Sequence, residues 1–476
     1  MIIKEIPFMD PVAVFEDLRE RPFSFFLDSG MDAERLGRFS FIGSDPVLVF
    51  RSKRRQIEML RNGGWEKRVG DPFDALRELL DSFRLEANPS LPVPVAAGAF
   101  GYFAYDLGWQ IERLPDRAVD DLQVPDCYLG FYDRLIVFDH LLGKAYLTST
   151  GVDGSGTPSA VKARERLEEL ELLVGQSRKE ERSADERLEE AHRPLRLTSH
   201  FTLETYCDAV NRVKDYIAAG DIFQANLSQR FACPLPYSPW DLYKRLRSIN
   251  PAPFAAYLSY PELIIASASP ERFLKVKDRF VETRPIKGTR PRGKDPAEDL
   301  RLRSELLNSV KDRAELTMIV DLERNDLGRV CSYGSVHVPE LIVLEEYPTV
   351  FHLVSTVRGV LAPGRDLVDL LKATFPGGSI TGAPKIRAME IIEELEPVKR
   401  GVYTGSIGYL GFDGSADLSI VIRTFVIKDG WAYFQVGGGI VADSDPEMEY
   451  WETIHKGRAL MLALGCGKEA FLECLG

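Results

Sequence analysis

Residues 401–425 read GVYTGSIGYLGFDGSADLSIVIRTF. Two β-prone runs flank Asp413-Gly414, a dipeptide typical of the tight turn of a β-hairpin. The stretch therefore predicts two paired strands, the second ending near Arg423. A second dipeptide of this kind, Asp429-Gly430, follows shortly afterwards, and from about residue 200 onward strand-like and helix-like patterns alternate. The chain is thus expected to be a mixed α/β protein.

The composition is that of a large globular protein. The chain has 476 residues, of which 45% are hydrophobic, and a formal net charge of −12. No run approaches the roughly 18–20 apolar residues of a membrane span, and the first residues lack a secretory pattern. The acidic charge argues against broad nucleic-acid binding, which needs a basic face. We expect a cytoplasmic protein that binds neither membrane nor nucleic acid.

Composition divides the chain into three segments. Residues 1–150 are β-rich, with one helix predicted at about 72–84. Residues 151–200 form a charged connection, dense in Glu, Arg and Lys, that predicts a solvated helix and an exposed link. Residues 201–476 alternate between helix and strand patterns. One or two intimately packed domains are expected from this length.

The C-terminal helix carries a polar stripe. Asp445 precedes Pro446, a combination that favours a helix start. Glu449, Glu452 and Lys456 then fall within roughly 60° of one another around the helix axis. A solvated Glu–Lys pair is the simpler interpretation of this stripe.

A second carboxylate pair, Asp312 and Glu315, has i, i+3 spacing in another helical stretch. Oxygen ligands from two helices, with positions left for water and substrate, suit magnesium better than zinc. Spacing alone does not establish that the two helices meet, and an exposed helix surface would carry the same residues.

Two glycine-rich segments could cradle an anion: PGGSITGAPK (376–385) and VGGGIVAD (436–443). The first leads into a helix predicted to reach about Leu395, and the free N–H groups of a helix start attract carboxylates or phosphates. Arg423 can grip a carboxylate with two bonds, and Lys456 offers a point charge. Together these groups suit a dianionic substrate, although each glycine run alone is weak evidence.

Seven segments carry a family resemblance. They are SPERF (269–273), RPIKGTRPRG (284–293), AELTMIVDLERNDLGRV (314–330), FHLVSTVRG (351–359), PGGSITGAPKIRAMEIIEELEP (376–397), GVYTGSIGYLGF (401–412) and GGGIVADSDPEMEYWETIHK (437–456). In this order they resemble the chorismate-utilising synthases, the family of anthranilate synthase component I, aminodeoxychorismate synthase component I and isochorismate synthase. The resemblance implies an α/β sandwich of packed, largely antiparallel sheets with helices outside. It makes residues 201–476 the chorismate-binding catalytic domain.

The resemblance also implies a magnesium site and a general acid. Glu315 and Glu452 match the glutamates that bind Mg²⁺ in the family, with Asp312 and Glu449 at neighbouring supporting positions. Glu271 matches the acid that protonates the departing C4 hydroxyl of chorismate. A carboxyl group with this role at neutral pH should have a pKa raised by burial.

Further residues match groups that hold the substrate. They are Ser379, Tyr403, Arg423, Gly437, Gly438, Gly439 and Lys456. His352 matches a histidine that assists the aromatising members, although a lone histidine is more often structural.

Two positions distinguish the branches of the family. Isochorismate-forming enzymes place a lysine base where this chain has Gln224, and anthranilate synthases usually have a small residue where it has Lys287. The resemblance is therefore closest to aminodeoxychorismate synthase component I, in which Lys287 would attack C2 of chorismate. Arg284 and Arg290 are nearby cations that could lower its pKa. Anthranilate synthase component I and a non-catalytic effector-binding protein remain alternatives.

The resemblance implies two partners besides chorismate. The chain lacks a G-x-C-x-G glutaminase motif, so ammonia is expected from a separate glutamine amidotransferase subunit. A bound tryptophan is possible in a pocket at the N-terminal region, although FLDSG (26–30) departs from the pattern usual in tryptophan-inhibited enzymes. The residues that match this pocket are Ser29, Leu36, Gly37, Arg38, Phe39, Pro253, Phe254 and Ala255.

Overall fold

Two large antiparallel β-sheets form the frame of the computed structural model, which describes residues 1–177, 195–347 and 350–466. In chain order the strands are β1 (Ile2–Pro7), β2 (Phe25–Asp28), β3 (Phe39–Gly43), β4 (Leu48–Lys53), β5 (Gln56–Arg61), β6 (Gly64–Val69), β7 (Gly98–Phe103), β8 (Cys127–Tyr132), β9 (Arg134–Asp139), β10 (Lys144–Ser149), β11 (Thr198–Ser199), β12 (Gln224–Pro234), β13 (Phe254–Ser259), β14 (Ile264–Ser269), β15 (Arg272–Lys277), β16 (Phe280–Arg284), β17 (Ile286–Pro291), β18 (His337–Glu346), β19 (Val350–Val360), β20 (Gly382–Ala383), β21 (Ser406–Gly411), β22 (Ala416–Ile420), β23 (Thr424–Lys428) and β24 (Trp431–Ile440).

Helices cover the outer faces of these sheets. They are α1 (Pro11–Leu18), α2 (Pro72–Ser82), α3 (Ala160–Ser177), α4 (Leu203–Ala218), α5 (Pro239–Ile249), α6 (Pro296–Asn308), α7 (Val310–Gly328), α8 (Leu367–Thr374), α9 (Lys385–Leu395) and α10 (Pro446–Leu464). Among the helices described, none combines the length and the apolar character needed to cross a lipid bilayer.

Both sheets mix strands from distant parts of the chain. The first runs β1-β10-β9-β3-β2-β13-β14-β23-β24-β12-β11, with β20 also on β12, and the second runs β17-β19-β16-β15-β22-β21-β7-β8-β4-β5-β6, with β18 also on β19. Residues 1–150 join residues 201–466 where β2 pairs with β13 and where β7 pairs with β21. The three-part division stays a prediction about domains. Residues 178–194 of the charged connection lie outside the described residues.

Aromatic side chains fill the space between the two sheets. Phe25 of the first sheet stacks on Phe100 of the second, with ring centroids 4.5 Å apart, and Phe41 contacts Tyr409 in a tilted arrangement at 5.5 Å. All four side chains are buried. Because apolar surface is removed from water on both inner faces, this layer holds the sandwich together, while separate clusters pack the helices onto the outer faces.

The local predictions agree with the structure. Asp413-Gly414 joins β21 to β22, and Asp429-Gly430 joins β23 to β24. Asp429 and Gly430 both have positive φ, 51° and 76°, which this tight turn requires. The strand predicted to end near Arg423 ends at Ile420, and Arg423 itself has a φ of 55°, outside the extended conformation of a strand.

A buried ion pair joins the segments around the glycine-rich turn. Arg400 Nη2 lies 2.7 Å from Glu396 Oε1, and the two side chains are 1% and 2% exposed. Arg400 also donates to the carbonyl oxygens of Ile380 and Asn226, and Glu396 accepts bonds from the amide and hydroxyl of Ser228. The pair therefore ties α9 to β12 and to the 378–380 turn.

Replacing Arg400 with Met should lower the free energy of unfolding by about 3–5 kcal/mol, because Glu396 would remain buried without its cation. Arg301→Met on α6 is the matched control, since its pair with Glu305 at 3.4 Å is exposed and should contribute less than about 1 kcal/mol. Urea unfolding measures the free energy of unfolding of both variants. Equal effects of the two substitutions would contradict this assignment of the pair.

Candidate active site

The first turns of α7 and α10 meet beside the glycine run of β24. Ser309 caps α7 by accepting the amide of Asp312, and Asp445 caps α10 by accepting the amide of Met448. Lys311 Nζ lies 3.6 Å from Glu449 Oε1, so the two helices do approach each other at their starts. This contact establishes that the two carboxylate-bearing helices meet, which the residue spacing alone did not.

Carboxylates and ammonium groups alternate at this junction. Glu452 pairs with Lys456 at 2.7 Å, and Lys456 Nζ also donates to the carbonyl oxygen of Gly437 at 3.0 Å. Glu449 Oε1 accepts the Ser444 hydroxyl at 2.6 Å, whereas its Oε2 is buried without a hydrogen-bond partner. A buried carboxylate oxygen without a partner is costly, so Glu449 Oε2 is an acceptor to which a cation could bind.

Gly438 faces the same groups. A Cβ atom added there would lie 3.2 Å from Glu449 Oε2, 3.6 Å from Glu452 Oε1 and 3.7 Å from Lys456 Nζ. The absence of a side chain leaves this space open. Gly439 is tighter, because a Cβ atom would come within 2.0 Å of Gln224 Nε2.

Burial and nearby charges shift the pKa values of these carboxylates. Burial raises the pKa of Glu315, and Lys287 and Lys311 partly oppose that rise. Lys456 lowers the pKa of Glu452. Burial lowers the pKa of Lys311, but attraction to Glu449 and Glu315 outweighs it.

No cluster of three Asp, Glu, His or Cys side chains close enough to hold a metal occurs within residues 1–177, 195–347 and 350–466. Asp312 bonds instead to Arg290 Nη2 at 3.2 Å, beside Gly288. Of the other carboxylates at this junction, Glu449 is paired with Lys311 and Glu452 with Lys456.

Lys287 lies on β17, within the electrostatic influence of Glu315, Glu271 and Glu452. Burial lowers the pKa of its ammonium group; Lys456 adds to this shift, while Glu315 and Glu271 oppose it. A lower pKa increases the fraction of free amine, the form that acts as a nucleophile.

Glu271 is a buried carboxyl group that interacts with Lys287 and with the backbone of Ile286. It is 5% exposed, and burial raises its pKa, opposed by a hydrogen bond from Ser379 and by the charge of Lys287. Ser379 is held in the short 3₁₀ turn Gly378–Ile380. A buried carboxyl group beside an amine brings a proton donor and a basic nitrogen close together.

Arg423 is a cation without a carboxylate partner. No Asp or Glu of the described ranges pairs with its guanidinium, and burial lowers its pKa, with Tyr403 opposing. The Tyr403 side chain is hydrogen-bonded to that of Asn226. Because a half-buried guanidinium is stabilised by an anion, Arg423 is available to a substrate carboxylate.

His352 lies close to Arg423. Its Nδ1 is 2.8 Å from Thr289 Oγ1, and burial, together with Arg423, lowers its pKa to about 4. The imidazole is therefore neutral at pH 7.

Comparison with known proteins gives a consistent assignment. The sequence profile of a family described as "chorismate binding enzyme" matches residues 24–462. Anthranilate synthase component 1 of Thermus thermophilus is 45% identical over 95% of both chains, and aminodeoxychorismate synthase component 1 of Bacillus subtilis is 40% identical over 98% of this chain and 97% of its own. The crystal structure of anthranilate synthase component I from Streptococcus pneumoniae TIGR4 superposes with a TM-score of 0.76 at 34% identity, covering 89% of this chain and 92% of that one.

The chain belongs to the chorismate-binding enzyme family. It is therefore a chorismate-utilising enzyme of the anthranilate synthase component I type. The predicted family is confirmed, and so is the predicted α/β sandwich with largely antiparallel sheets and outer helices. The relatives include both anthranilate and aminodeoxychorismate synthases, so the similarity leaves the product undecided.

The residues predicted for a tryptophan pocket lie partly together. The Ser29 hydroxyl donates to the Phe39 carbonyl oxygen at 2.6 Å and lies 3.5 Å from that of Pro253, while Ala255 pairs with Asp28 on the neighbouring strand. Leu36 and Gly37 belong to the adjoining turn, closed by amide bonds to the Asp32 carbonyl oxygen. Arg38 instead pairs with Asp139 at 2.7 Å, and Phe254 lies under Arg272.

Three charged residues at or near the candidate active site were not identified from the sequence. Lys311 is four residues before Glu315, a spacing that could have suggested an ion pair. Glu323, buried beneath the 378–380 turn, accepts a bond from Thr283 at 3.0 Å. Arg400 has a local partner in Glu396, four residues earlier, but no local pattern indicates its bonds to the carbonyl oxygens of Ile380 and Asn226.

Arg423→Met should raise the KM for chorismate at least about tenfold, the effect of losing one charge-assisted carboxylate contact. The free energy of unfolding should change by less than about 1 kcal/mol or increase, because Arg423 has no carboxylate partner to lose. Arg358→Met on β19, exposed and paired with Glu282, is the control and should leave the KM unchanged. An unchanged KM in Arg423→Met would exclude the contact.

Proposed function

We propose that the chain is aminodeoxychorismate synthase component I, which converts chorismate and ammonia into 4-amino-4-deoxychorismate for 4-aminobenzoate and folate synthesis. The observation that carries this proposal is Lys287, an amine with a lowered pKa between the buried acid Glu271 and the carboxylates of α7 and α10. A small residue, as usual in anthranilate synthases, would leave no nucleophile there.

The proposed reaction has two displacements. The Lys287 amine attacks C2, the ring double bonds shift, and the C4–O bond breaks as Glu271 gives its proton to the departing hydroxyl, which leaves as water. Ammonia then adds at C4, the double bonds shift back, and the C2–N bond to Lys287 breaks. Glu271 recovers a proton from the new C4 ammonium group, so the enzyme ends in its starting state.

Fixed groups would hold the dianion during both steps. Arg423 supplies a guanidinium that has no carboxylate partner, and Tyr403 lies beside it. Ser379 lies beside Glu271. The Gly437 to Gly439 run allows close approach of backbone to substrate, with Lys456 anchored at its edge. His352, neutral near pH 7, could donate or accept a hydrogen bond there.

We propose Mg²⁺ as the cofactor, bound by Glu315 and Glu452, with Glu449 and Asp312 in supporting positions. The unpartnered Oε2 of Glu449 and the oxygen-only donor set fit a hard cation. When bound, Mg²⁺ would hold the ring carboxylate and offset negative charge as the hydroxyl leaves. Lys456 would have to release Glu452, its partner at 2.7 Å.

Two partners complete the proposal. Ammonia would come from a separate glutamine amidotransferase subunit, as the term "component 1" in the names of the relatives suggests. Tryptophan would occupy the pocket around Ser29, Phe39 and Pro253, and calorimetric titration with tryptophan tests that assignment. Lack of both a binding isotherm and copurified tryptophan would exclude it.

Anthranilate synthase component I is the second candidate. Its support is the 45% identity to the Thermus thermophilus enzyme of that name. Incubation with chorismate, Mg²⁺ and ammonium separates the two functions. Fluorescent anthranilate without an added lyase would favour the second, whereas 4-aminobenzoate that forms only with aminodeoxychorismate lyase would support the first.

Lys287→Ala should lower ammonium-dependent turnover by about a hundredfold or more, the scale on which a positioned catalytic group acts. Mass spectrometry should trap a chorismate-derived adduct on the Lys287 peptide of the wild type and find none in the variant. Lys277→Ala, at the exposed end of β15, is the control and should retain both the wild-type turnover and the adduct on the Lys287 peptide. Undiminished 4-amino product from Lys287→Ala, with no wild-type adduct, would refute the covalent route.

Glu315→Gln and Glu452→Gln should each weaken Mg²⁺ binding in calorimetry and lower turnover about a hundredfold, because each loses a charged ligand at nearly constant volume. Circular dichroism should show an intact fold. Glu447→Gln, at an exposed position five residues before Glu452 on α10, is the control. Full activity in excess chelator would contradict the magnesium assignment.

A further inference from the structure

Glu345 is a buried carboxylate that the proposed reaction leaves unused. It lies near the end of β18, is 2% exposed, and contacts side chains from three parts of the chain. Arg284 Nη2 donates to its Oε1 at 2.7 Å, and Arg35 Nη1 lies 3.0 Å from the same oxygen. The Tyr347 hydroxyl donates to the other oxygen at 2.8 Å.

Arg284 connects Glu345 to the segment that carries Lys287. Arg284 ends β16, and Lys287 is the second residue of β17, three positions further on. The Arg284 guanidinium is fixed on another side as well, because its Nε donates to Thr356 Oγ1 at 3.1 Å. Pro285 stiffens the short link between the strands. A displacement of Arg284 would therefore be transmitted to Lys287.

Glu345 also faces His352. The two residues are direct cross-strand partners in the ladder between β18 and β19. The Tyr347 ring, bonded to Glu345 through its hydroxyl, lies 5.7 Å from the His352 ring in an edge-on contact. His352 in turn pairs with Thr289 of β17, so Glu345 supports the catalytic strand from two directions.

Arg35 brings the N-terminal region to the same carboxylate. It belongs to a tight turn in which the Asp32 carbonyl oxygen accepts the amides of Arg35, Leu36 and Gly37 at 3.2, 3.2 and 2.8 Å. The Arg35 side chain is 50% exposed, so solvent or a ligand can reach it. Glu345 is thus shared between an arginine of the catalytic segment and one of residues 32–37.

We propose that Glu345 is a positioning residue that couples the 32–37 turn to the segment carrying Lys287. If Arg35 moves away, Arg284 is left as the main cation on a buried carboxylate, and the balance of forces on the start of β17 changes. The coupling rests on the proposed function in one respect, because it takes Lys287 and His352 to be groups of that reaction.

Glu345→Gln keeps the size of the side chain and removes its charge. It should lower the kcat for chorismate consumption about tenfold and leave the KM within about twofold, because the substrate contacts themselves are untouched. Glu340→Gln is the matched control. Glu340 is on the same strand and 3.5 Å from Arg284 Nη2, but it is 41% exposed and faces Thr356 instead of His352. Its kcat should stay within about twofold of the wild type.

Arg35→Gln tests the link to the N-terminal turn. It should lower kcat about threefold in the wild-type background and have no further effect in the Glu345→Gln background, because Arg35 acts through Glu345. Independent, additive losses would overturn the coupling. Equal losses of kcat in Glu345→Gln and Glu340→Gln would also overturn it.

Hydrogen exchange of the substrate-free protein separates this inference from the proposed function. Glu345→Gln should accelerate amide exchange in both residues 32–37 and residues 285–291, and Glu340→Gln should not. This result would support the coupling even if the wild type consumed no chorismate. Lack of chorismate consumption would contradict the proposed function and leave the coupling intact. Unchanged exchange in both segments would overturn the coupling whatever product the enzyme forms.

Discussion

The ion pair of Arg400 and Glu396 is the constraint on which the substrate cleft depends. Its two side chains are almost fully buried, so each charge would be strongly destabilised without the other. Neighbouring groups make further hydrogen bonds to the pair, among them the carbonyl oxygens of Ile380 and Asn226 and the amide of Ser228. These positions adjoin the turn that holds Ser379 and the strand that faces the glycine run. A local electrostatic requirement thereby fixes three segments relative to one another.

Charge balance is the second feature of the cleft. Glu315, Glu449 and Glu452 lie among the ammonium groups of Lys287, Lys311 and Lys456. A dianion entering this nearly balanced set would add negative charge beside existing carboxylates. Arg423 offsets part of that charge, and a divalent cation would offset the rest, which gives the proposed magnesium a physical reason independent of family resemblance.

Local chemistry made much of the secondary structure predictable. Asp445 with Pro446 starts α10 because the Asp side chain accepts a free amide and Pro needs no donor at that position. Asp429-Gly430 gives a hairpin because both residues adopt positive φ. The partners of single carboxylates were less predictable: the Asp312 side chain bonds to Arg290. That partner depends on which strand lies beside the helix.

The sequence by itself determined the starts and turns of the elements, the family, and the ionisable residues from which the site is built, because these depend on neighbouring residues or on motifs in order. Only the tertiary structure decided that residues 1–150 share both sheets with residues 201–466, through β2 with β13 and β7 with β21. It also decided which charges are desolvated, as with Lys287 and the carboxylate of Glu345. The reason is that strand pairing and desolvation arise between groups far apart in the chain, and no local pattern records which of them come into contact.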